Sequence, residues 1–391
     1  MHAVLIAVAL ISRLDVVLSG DGWTAPDAVL RLVSTHAGGL YDRQELDRDL
    51  ARLRTLGILY DVQARVDGSR VEIDARDRWS LMPVVGLRRG GGRTTARIGA
   101  TDHNAFGKLF TLYAELTSNA DVPFLGGDRL GSLVYAEIPR IFGTRLTPYA
   151  SWTREFLGFD AFGRSFAFER SRYAVRSELR YELTDLVTVM AGAEGRQDRY
   201  ENGAAPSTDT LSALAGFTLG YVEDLVSQQR GKELKITGEV AHTGELTATA
   251  QARAYFIEGR HNLCLQLTLQ TTTGASESFM FHAGGLREIR GFSDAYFAGA
   301  ILVRGNAEWR ADLFRRGPLI GQVAAFADGG YLGARRGAVS GLDYSGPIAS
   351  AGVGVRGVVI PLARAVGRID FATGLVPNRS FDVSFSGQQF F

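Results

Sequence analysis

The stretch Arg172–Leu183, RYAVRSELRYEL, alternates apolar and charged side chains along its length. Its odd-numbered side chains are mostly apolar or aromatic, and its even-numbered side chains are mostly Arg or Glu. Successive side chains of a β-strand point to opposite faces, whereas a helix repeats its apolar positions every three to four residues. The stretch therefore predicts one long strand with an apolar face and a charged face.

The same alternation recurs from about Trp79 to the end of the chain. Its segments outlast the ~5–6 residues of an ordinary strand, and their polar faces carry charges throughout. A soluble sandwich also alternates, but these two features favour a membrane barrel around a wet lumen. Segments of spanning length between Leu81 and Phe391 predict a closed, antiparallel transmembrane β-barrel of about 16 strands. Clear examples are Leu109–Ser118, Glu233–Thr243, Asn262–Gln270 and Ile301–Leu313.

The N-terminal part of the chain has helical periods as well. After a strand at Arg13–Leu18 comes TAPDAVLRLV, in which Thr24 is expected to be a helix N-cap. A second helix is expected within Tyr41–Gly57, with Asp42 near its start. Two alternating segments then flank the tight-turn dipeptide Asp67-Gly68. The order strand, helix, helix, strand, strand predicts a small α+β domain.

The segment Gly38–Val62, GGLYDRQELDRDLARLRTLGILYDV, resembles a POTRA domain, the periplasmic module of outer-membrane assembly and secretion proteins. A generic small α+β domain is the alternative. We expect one POTRA domain at residues 13–78 and the barrel at residues 79–391. Residues 1–12 are either a hydrophobic lead-in or part of a signal peptide. The apolar run Ala3–Ile11 could be the core of a signal peptide, but no Lys or Arg precedes it.

A charged, glycine-flanked segment, GGLREIRGFSDAYFAG at Gly284–Gly299, separates two alternating segments. The guanidinium of Arg290 has the planar fork that pairs with a carboxylate through two hydrogen bonds. Strand parity places Glu308 on the polar side of its strand and Asp328 on the same side of the next. These charges are complementary. A solvated Arg on an external loop is the alternative.

Four short motifs resemble motifs of one superfamily. This superfamily includes BamA, TamA, the two-partner secretion transporters and the bacterial surface antigen family. They are IRGF at Ile289–Phe292, GNAEWR at Gly305–Arg310, FADGG at Phe326–Gly330 and DHNAFG at Asp102–Gly107. The resemblance implies that the loop folds back into the barrel. It also implies a lumenal latch, a name used here for five residues: Arg290, Gly291, Phe292, Glu308 and Asp328.

The last segment, FDVSFSGQQFF, resembles the C-terminal signal by which outer-membrane barrels are recognised for insertion. Val383, Phe385 and the terminal Phe391 have the same parity and are the expected signal residues. Gly387 and Gln389 occupy positions that are more often apolar in that signal.

By resemblance, the protein inserts or transports β-rich client proteins in the bacterial outer membrane, with its POTRA domain in the periplasm. Outer-membrane lipid and unfolded clients are the expected partners, with periplasmic chaperones or accessory lipoproteins beside them. The expected site of action is the seam between the first strand, Leu81–Arg88, and the last, Phe381–Phe391, beside Gly90–Gly92. One POTRA domain is fewer than usual in the superfamily and favours an accessory or lineage-specific member.

Other functions receive little support from the sequence. A net charge of +1 gives no reason to expect nucleic acid. The chain has one Cys and lacks HExxH, GxSxG and phosphate-loop motifs, so we expect no enzyme activity, metal or cofactor. A passive outer-membrane pore or a surface-antigen scaffold without insertase activity is the alternative function.

Overall fold

The computed structural model is mainly β, with a closed antiparallel barrel of 16 strands and a small N-terminal unit. The expected strand number is confirmed. The structure describes residues 10–90, 93–120, 130–160, 167–200, 206–285, 288–293, 296–333, 344–362 and 366–386. Of the helices in these ranges, none is long and apolar enough to cross a membrane.

The N-terminal unit packs two helices on a three-stranded sheet of order β1-β3-β2. Strand β1 runs parallel to β3, and β2 runs antiparallel to it. Leu53, Leu59 and Ile73 form part of its buried core. The elements are β1 Arg13–Gly20, α1 Pro26–Leu32, α2 Arg43–Thr55, β2 Leu59–Asp67 and β3 Arg70–Asp77.

The two helix starts differ in how they are capped. Asp42 caps α2, and its carboxylate accepts a hydrogen bond from the backbone N–H of Gln44 at 2.8 Å. The expected N-cap of α1, Thr24, is wrong: Ala25 is the cap residue and makes no side-chain capping bond. The Thr24 hydroxyl instead accepts a hydrogen bond from Asn104, 2.7 Å away in the barrel.

The barrel closes where its last strand pairs with its first, from Val383 opposite Arg89 to Ser386 opposite Gly86. Residues 91–92 and 387–391, which include two seam glycines and Phe391, lie outside the described residues.

A short hairpin, β15 Phe281–Ala283 and β16 Phe297–Gly299, is separate from the barrel sheet. The barrel strands are β4 Leu81–Gly90, β5 Arg93–Ala105, β6 Phe110–Ala120, β7 Leu130–Glu137, β8 Leu146–Asp160, β9 Ala167–Glu182, β10 Val187–Tyr200, β11 Thr208–Leu225, β12 Gln228–Ala241, β13 Leu246–Glu258, β14 His261–Thr272, β17 Ile301–Arg316, β18 Leu319–Gly333, β19 Gly346–Val359, β20 Val366–Val376 and β21 Ser380–Ser386.

The two faces of the barrel wall have opposite chemistry. On β9, Val175 and Leu179 are exposed on the outside, whereas Glu178 is buried on the inside. Glu178 pairs there with Arg176 at 2.5 Å and with Arg180 at 3.0 Å. The barrel is therefore apolar outside and charged inside, the reverse of a soluble protein and the arrangement of a membrane barrel.

The N-terminal unit lies against the end of the barrel that carries the short turns. Asn104, at the end of β5, is fully buried and is the centre of one contact. Its amide donates to the Thr24 hydroxyl, and its side-chain oxygen accepts from the backbone N–H of Leu109 at 2.8 Å. The indole N–H of Trp23 donates to the Asn104 carbonyl at 3.2 Å. The DHNAFG motif thus joins the unit to the barrel.

Charged contacts bind the same unit to other turns of that end. Arg140, in the connection between β7 and β8, donates to the Leu32 carbonyl at 2.8 Å and pairs with Glu182 at 2.7 Å. Arg52 of α2 pairs with Asp185 in the turn between β9 and β10. The unit is therefore held at several separate turns of the ring.

Candidate functional site: a loop bound inside the barrel

The described residues of the connection between β14 and β17, 273–285, 288–293 and 296–300, fold into the lumen and are called the crossing loop below. Ile289, Phe292 and Phe297 of this loop are buried in one apolar cluster with Leu302 and Leu332. Leu302 belongs to the inward, even-numbered face of β17, where Arg304, Asn306 and Glu308 are buried as well. The cluster therefore lies inside the barrel.

The guanidinium of Arg290, only 1% exposed, meets two carboxylates. Its Nε and Nη2 donate to the two oxygens of Asp328 at 2.8 Å each, and its Nη1 donates to Glu308 at 2.5 Å. Its backbone N–H also donates to Asp328 at 3.1 Å. The guanidinium lies over the ring of Phe326, 3.4 Å from the ring centre. This planar fork explains why Arg rather than Lys suits the position.

Glu308 is the centre of a larger charge network. Besides Arg290, its carboxylate accepts from Arg310 at 2.7 Å and from Arg356 at 3.3 Å. Arg356 in turn donates to Asp370 at 2.5 Å. Strands β17, β19 and β20 contribute these groups, so the loop tip is tied to several strands at once.

Burial decides the strength of this network. The side chains of Glu308 and Asp328 are 0% exposed. Removing one partner from such a desolvated pair costs about 3–5 kcal/mol, because the other charge stays buried without compensation. In a hydrated lumen the ion pairs of Arg290 would add little stability. This part of the barrel is instead closed to solvent.

The turn at the loop tip depends on close backbone contact. Gly291 has a φ of 88°, and a Cβ at this position would lie 2.7 Å from the backbone N of Gly374 on β20. A Cβ on Gly374 would in turn lie 2.6 Å from the Phe292 ring. The Ser380 hydroxyl of β21 donates to the Gly291 carbonyl. The tip therefore rests against the two strands that precede the seam.

Several residues around the latch were not identified from the sequence. Asn306 donates to the Glu288 carbonyl at 2.7 Å and to Asp328 at 3.0 Å, which links the loop to the carboxylate. Its inward parity in the GNAEWR motif was a usable signal. Gly374 and Ser380 carried no such signal, because their role depends on how deep the loop enters.

The beginning of the crossing loop is bound to the other side of the barrel. The short turn Glu277–Phe279 accepts a hydrogen bond from Arg172 at the Ser278 carbonyl, at 3.0 Å. The Ser278 hydroxyl is 3.0 Å from the Tyr200 hydroxyl. Arg196 lies over the Phe279 ring at 5.0 Å. Arg196 and Tyr200 belong to β10, and β20 is the eighth strand after β10 in the ring of 16. The loop thus reaches from one wall to the opposite wall.

The described part of the expected C-terminal signal faces outward. Val383 and Phe385 are exposed on the outer side of β21. Among the described residues, no three His, Cys, Asp or Glu side chains form a group that could hold a metal ion.

The fold has clear similarity to solved barrels. CdiB from Escherichia coli matches with a TM-score of 0.67 and 14% identity, over 97% of this chain and 76% of that chain. CdiB from Acinetobacter baumannii matches with a TM-score of 0.61 and 11% identity, over 97% and 73%. BamA from Haemophilus ducreyi lacking POTRA domains 1–3 matches with a TM-score of 0.52 and 14% identity, over 97% and 84%. At these identities the similarity establishes the fold. No protein-family model and no curated protein sequence matches the chain.

Proposed function

We propose that this protein is an outer-membrane barrel that inserts or transports β-rich client proteins, as a member of the superfamily that includes BamA and the two-partner secretion transporters. The observation that carries the proposal is the loop tip bound inside a closed barrel through Arg290, Glu308 and Asp328. The apolar outer wall supports membrane location, and the likeness to BamA and CdiB barrels supports the class of activity.

In this proposal the lumenal latch fixes the loop tip next to the seam between β21 and β4. Contacts of Gly291 with Gly374 and Ser380 place the tip within two strands of that seam. Opening the seam would free the backbone groups of both edge strands, to which a client strand could add by hydrogen bonding.

The N-terminal unit acts as a periplasmic POTRA domain in this proposal. Its position at the short-turn end suits that side of the membrane, because barrels of this kind have short periplasmic turns. Strand β1 is an edge of the small sheet and pairs with β3. Its free edge could accept an extended client segment before the barrel does.

The activity is tested by depleting the protein in its own cells while the outer-membrane and secreted proteomes are quantified. Loss of specific β-rich proteins is the expected result. An unchanged proteome, together with steady open conductance of the purified protein in planar bilayers, would instead establish the alternative, a passive pore. A loop bound across the lumen favours the first outcome.

The role of the seam is tested with a disulfide between Leu87→Cys and Phe385→Cys, which stand opposite each other on β4 and β21. We expect the oxidised protein to lose client assembly and the reduced protein to recover it. Each single variant is the matched control. Full client assembly by the oxidised, cross-linked protein would rule out lateral opening.

A further inference from the structure

A groove of about 660 Å³ lies on the outer wall of the barrel, away from the lumenal site. Its floor consists of small side chains on two strands, Ala252 and Ala254 on β13 and Gly305 and Ala307 on β17. These positions face outward, since the intervening Arg253 reaches inward to Glu233 at 2.5 Å.

The raised sides of the groove are leucines on neighbouring strands. Leu234 of β12 and Leu267 of β14 stand on either side of Ala252 in the sheet register. Leu265 stands beside Ala254 in the same way, and it also separates the β13 floor from Ala307. The resulting channel is lined mainly by apolar groups and follows β13.

The end of this channel nearest the short turns carries a positive charge. Lys232 stands opposite Ala254 in register, and its ammonium lies over the ring of Phe256 at 5.5 Å. Because Phe256 is two residues nearer the turn than Ala254, the side chain of Lys232 is directed towards the turn. The rim beyond it carries exposed Arg260, Arg315 and Arg316 and exposed Glu258. Asp61 and Asp312 line one pocket there with Arg260 and Arg315.

The row of outward alanines on β13 is about as long as one membrane leaflet is thick, and the groove includes its last two members, Ala252 and Ala254. The outward alanines of β13 run from Ala248 to Ala254, which is roughly 20 Å along an extended strand. With the usual tilt of barrel strands this becomes roughly 15 Å along the membrane normal, half of the ~30 Å hydrocarbon core.

We propose that the groove binds an acyl chain of an anionic phospholipid, whose phosphate pairs with Lys232. This inference rests on the membrane location proposed above. A client strand is a poor occupant, because β13 already pairs with β12 and β14 on its two edges and offers no free backbone groups. A lipid needs only the apolar channel and the charge at its end.

The test reconstitutes the full chain into nanodiscs with equal amounts of phosphatidylglycerol and phosphatidylcholine. Native mass spectrometry then counts the lipids that stay bound after release. We expect phosphatidylglycerol to be retained about five-fold over phosphatidylcholine, the factor for one Lys beside an anionic lipid surface. Lys232→Glu removes this preference, and Arg145→Glu, at an exposed position in the turn between β7 and β8, leaves it unchanged.

The apolar part of the site is tested by Ala252→Leu combined with Ala254→Leu, which fills the channel and lowers retention of both lipids. Ala114→Leu, outward on β6 and seven strands away, is the matched control. Since Lys232→Glu adds no bulk, it keeps the test valid if the filled variant does not fold.

Two negative results have different meanings. If the wild-type chain enters nanodiscs but retains both lipids equally, the phospholipid site is wrong and the membrane location stands. If the chain does not enter a bilayer at all, the proposed membrane location is itself wrong.

Discussion

Two Arg–carboxylate pairs in this protein have the same length and opposite surroundings. Arg13 and Asp15 on the small sheet are 2.8 Å apart, and the Arg13 side chain is 67% exposed. Arg290 and Asp328 in the lumen are also 2.8 Å apart, with side chains 1% and 0% exposed. Water and salt screen the first pair but not the second. Burial, rather than distance, therefore separates a structural bond from a contact of little consequence.

The largest effect is expected from Arg290→Ala. It leaves the carboxylates of Asp328 and Glu308 facing fewer cations in a dry site, and the barrel should lose about 3–5 kcal/mol of stability. Arg290→Lys should recover only part of this, since an ammonium lacks the planar fork. Urea unfolding in detergent micelles, followed by tryptophan fluorescence, measures both losses. Equal stability of Arg290→Ala and wild type would show that burial does not strengthen this pair.

A smaller effect is expected from Asn104→Ala, at the junction of the two parts. The change removes a neutral amide and leaves the Leu109 N–H without its acceptor, which costs about 1–3 kcal/mol. The N-terminal unit should then exchange its amide hydrogens faster near Trp23 and Thr24, as measured by mass spectrometry. Thr144→Ala, an exposed hydroxyl at another turn, is the control and should leave that exchange unchanged.

Asp77 is a buried carboxylate that forms no ion pair with an Arg side chain of the described residues. Burial raises the pKa of Asp77, although the backbone N–H of Thr24 donates to it at 2.6 Å. A carboxyl whose folded pKa is raised stabilises the fold while protonated, and this contribution is lost as the pH rises through that pKa. We therefore expect Asp77→Asn to stabilise the N-terminal unit at pH 7 and to have little effect near pH 3, below the ordinary Asp pKa of ~3.9. Melting curves at the two pH values check this, and destabilisation at pH 7 would contradict it.

The smallest effect is expected from Arg13→Ala. Exposed pairs contribute little, so the melting temperature of the N-terminal unit should not change measurably. Added salt should shift the melting temperatures of this variant and of wild type by the same amount. If Arg13→Ala lowered stability as much as Arg290→Ala does, burial would not be the factor that separates the two pairs.

Much of the wall could be predicted from the sequence, because a strand has a period of two and each face meets one environment. Arg172–Leu183 and Ile301–Leu313 show this parity directly, and parity also placed Glu308 and Asp328 on the inner side. Local patterns were weaker where a distant group competes. Thr24 has a side chain that often caps helices, but its hydroxyl accepts a hydrogen bond from Asn104 of the barrel instead.

The partners of the loop tip could not be predicted for a related reason. Contacts of Gly291 with Gly374 and Ser380 join residues far apart in the chain. They depend on the closure of the ring and on the depth of the loop, and neither leaves a periodic pattern. An alternating sequence pattern predicts which face of a strand a residue lies on. It does not predict how deep in the barrel that residue lies, and the contacts of the site depend on that depth.

The crossing loop has a mechanical consequence. It is bonded at Ser278 to the wall formed by β9 and β10 and at Arg290 to strands on the opposite wall. The loop therefore joins two walls of the ring through hydrogen bonds at both of its ends. A change in barrel shape that separates these walls would act on the hydrogen bonds at Ser278 and at Arg290, so the shape of the barrel and the binding of the loop are coupled.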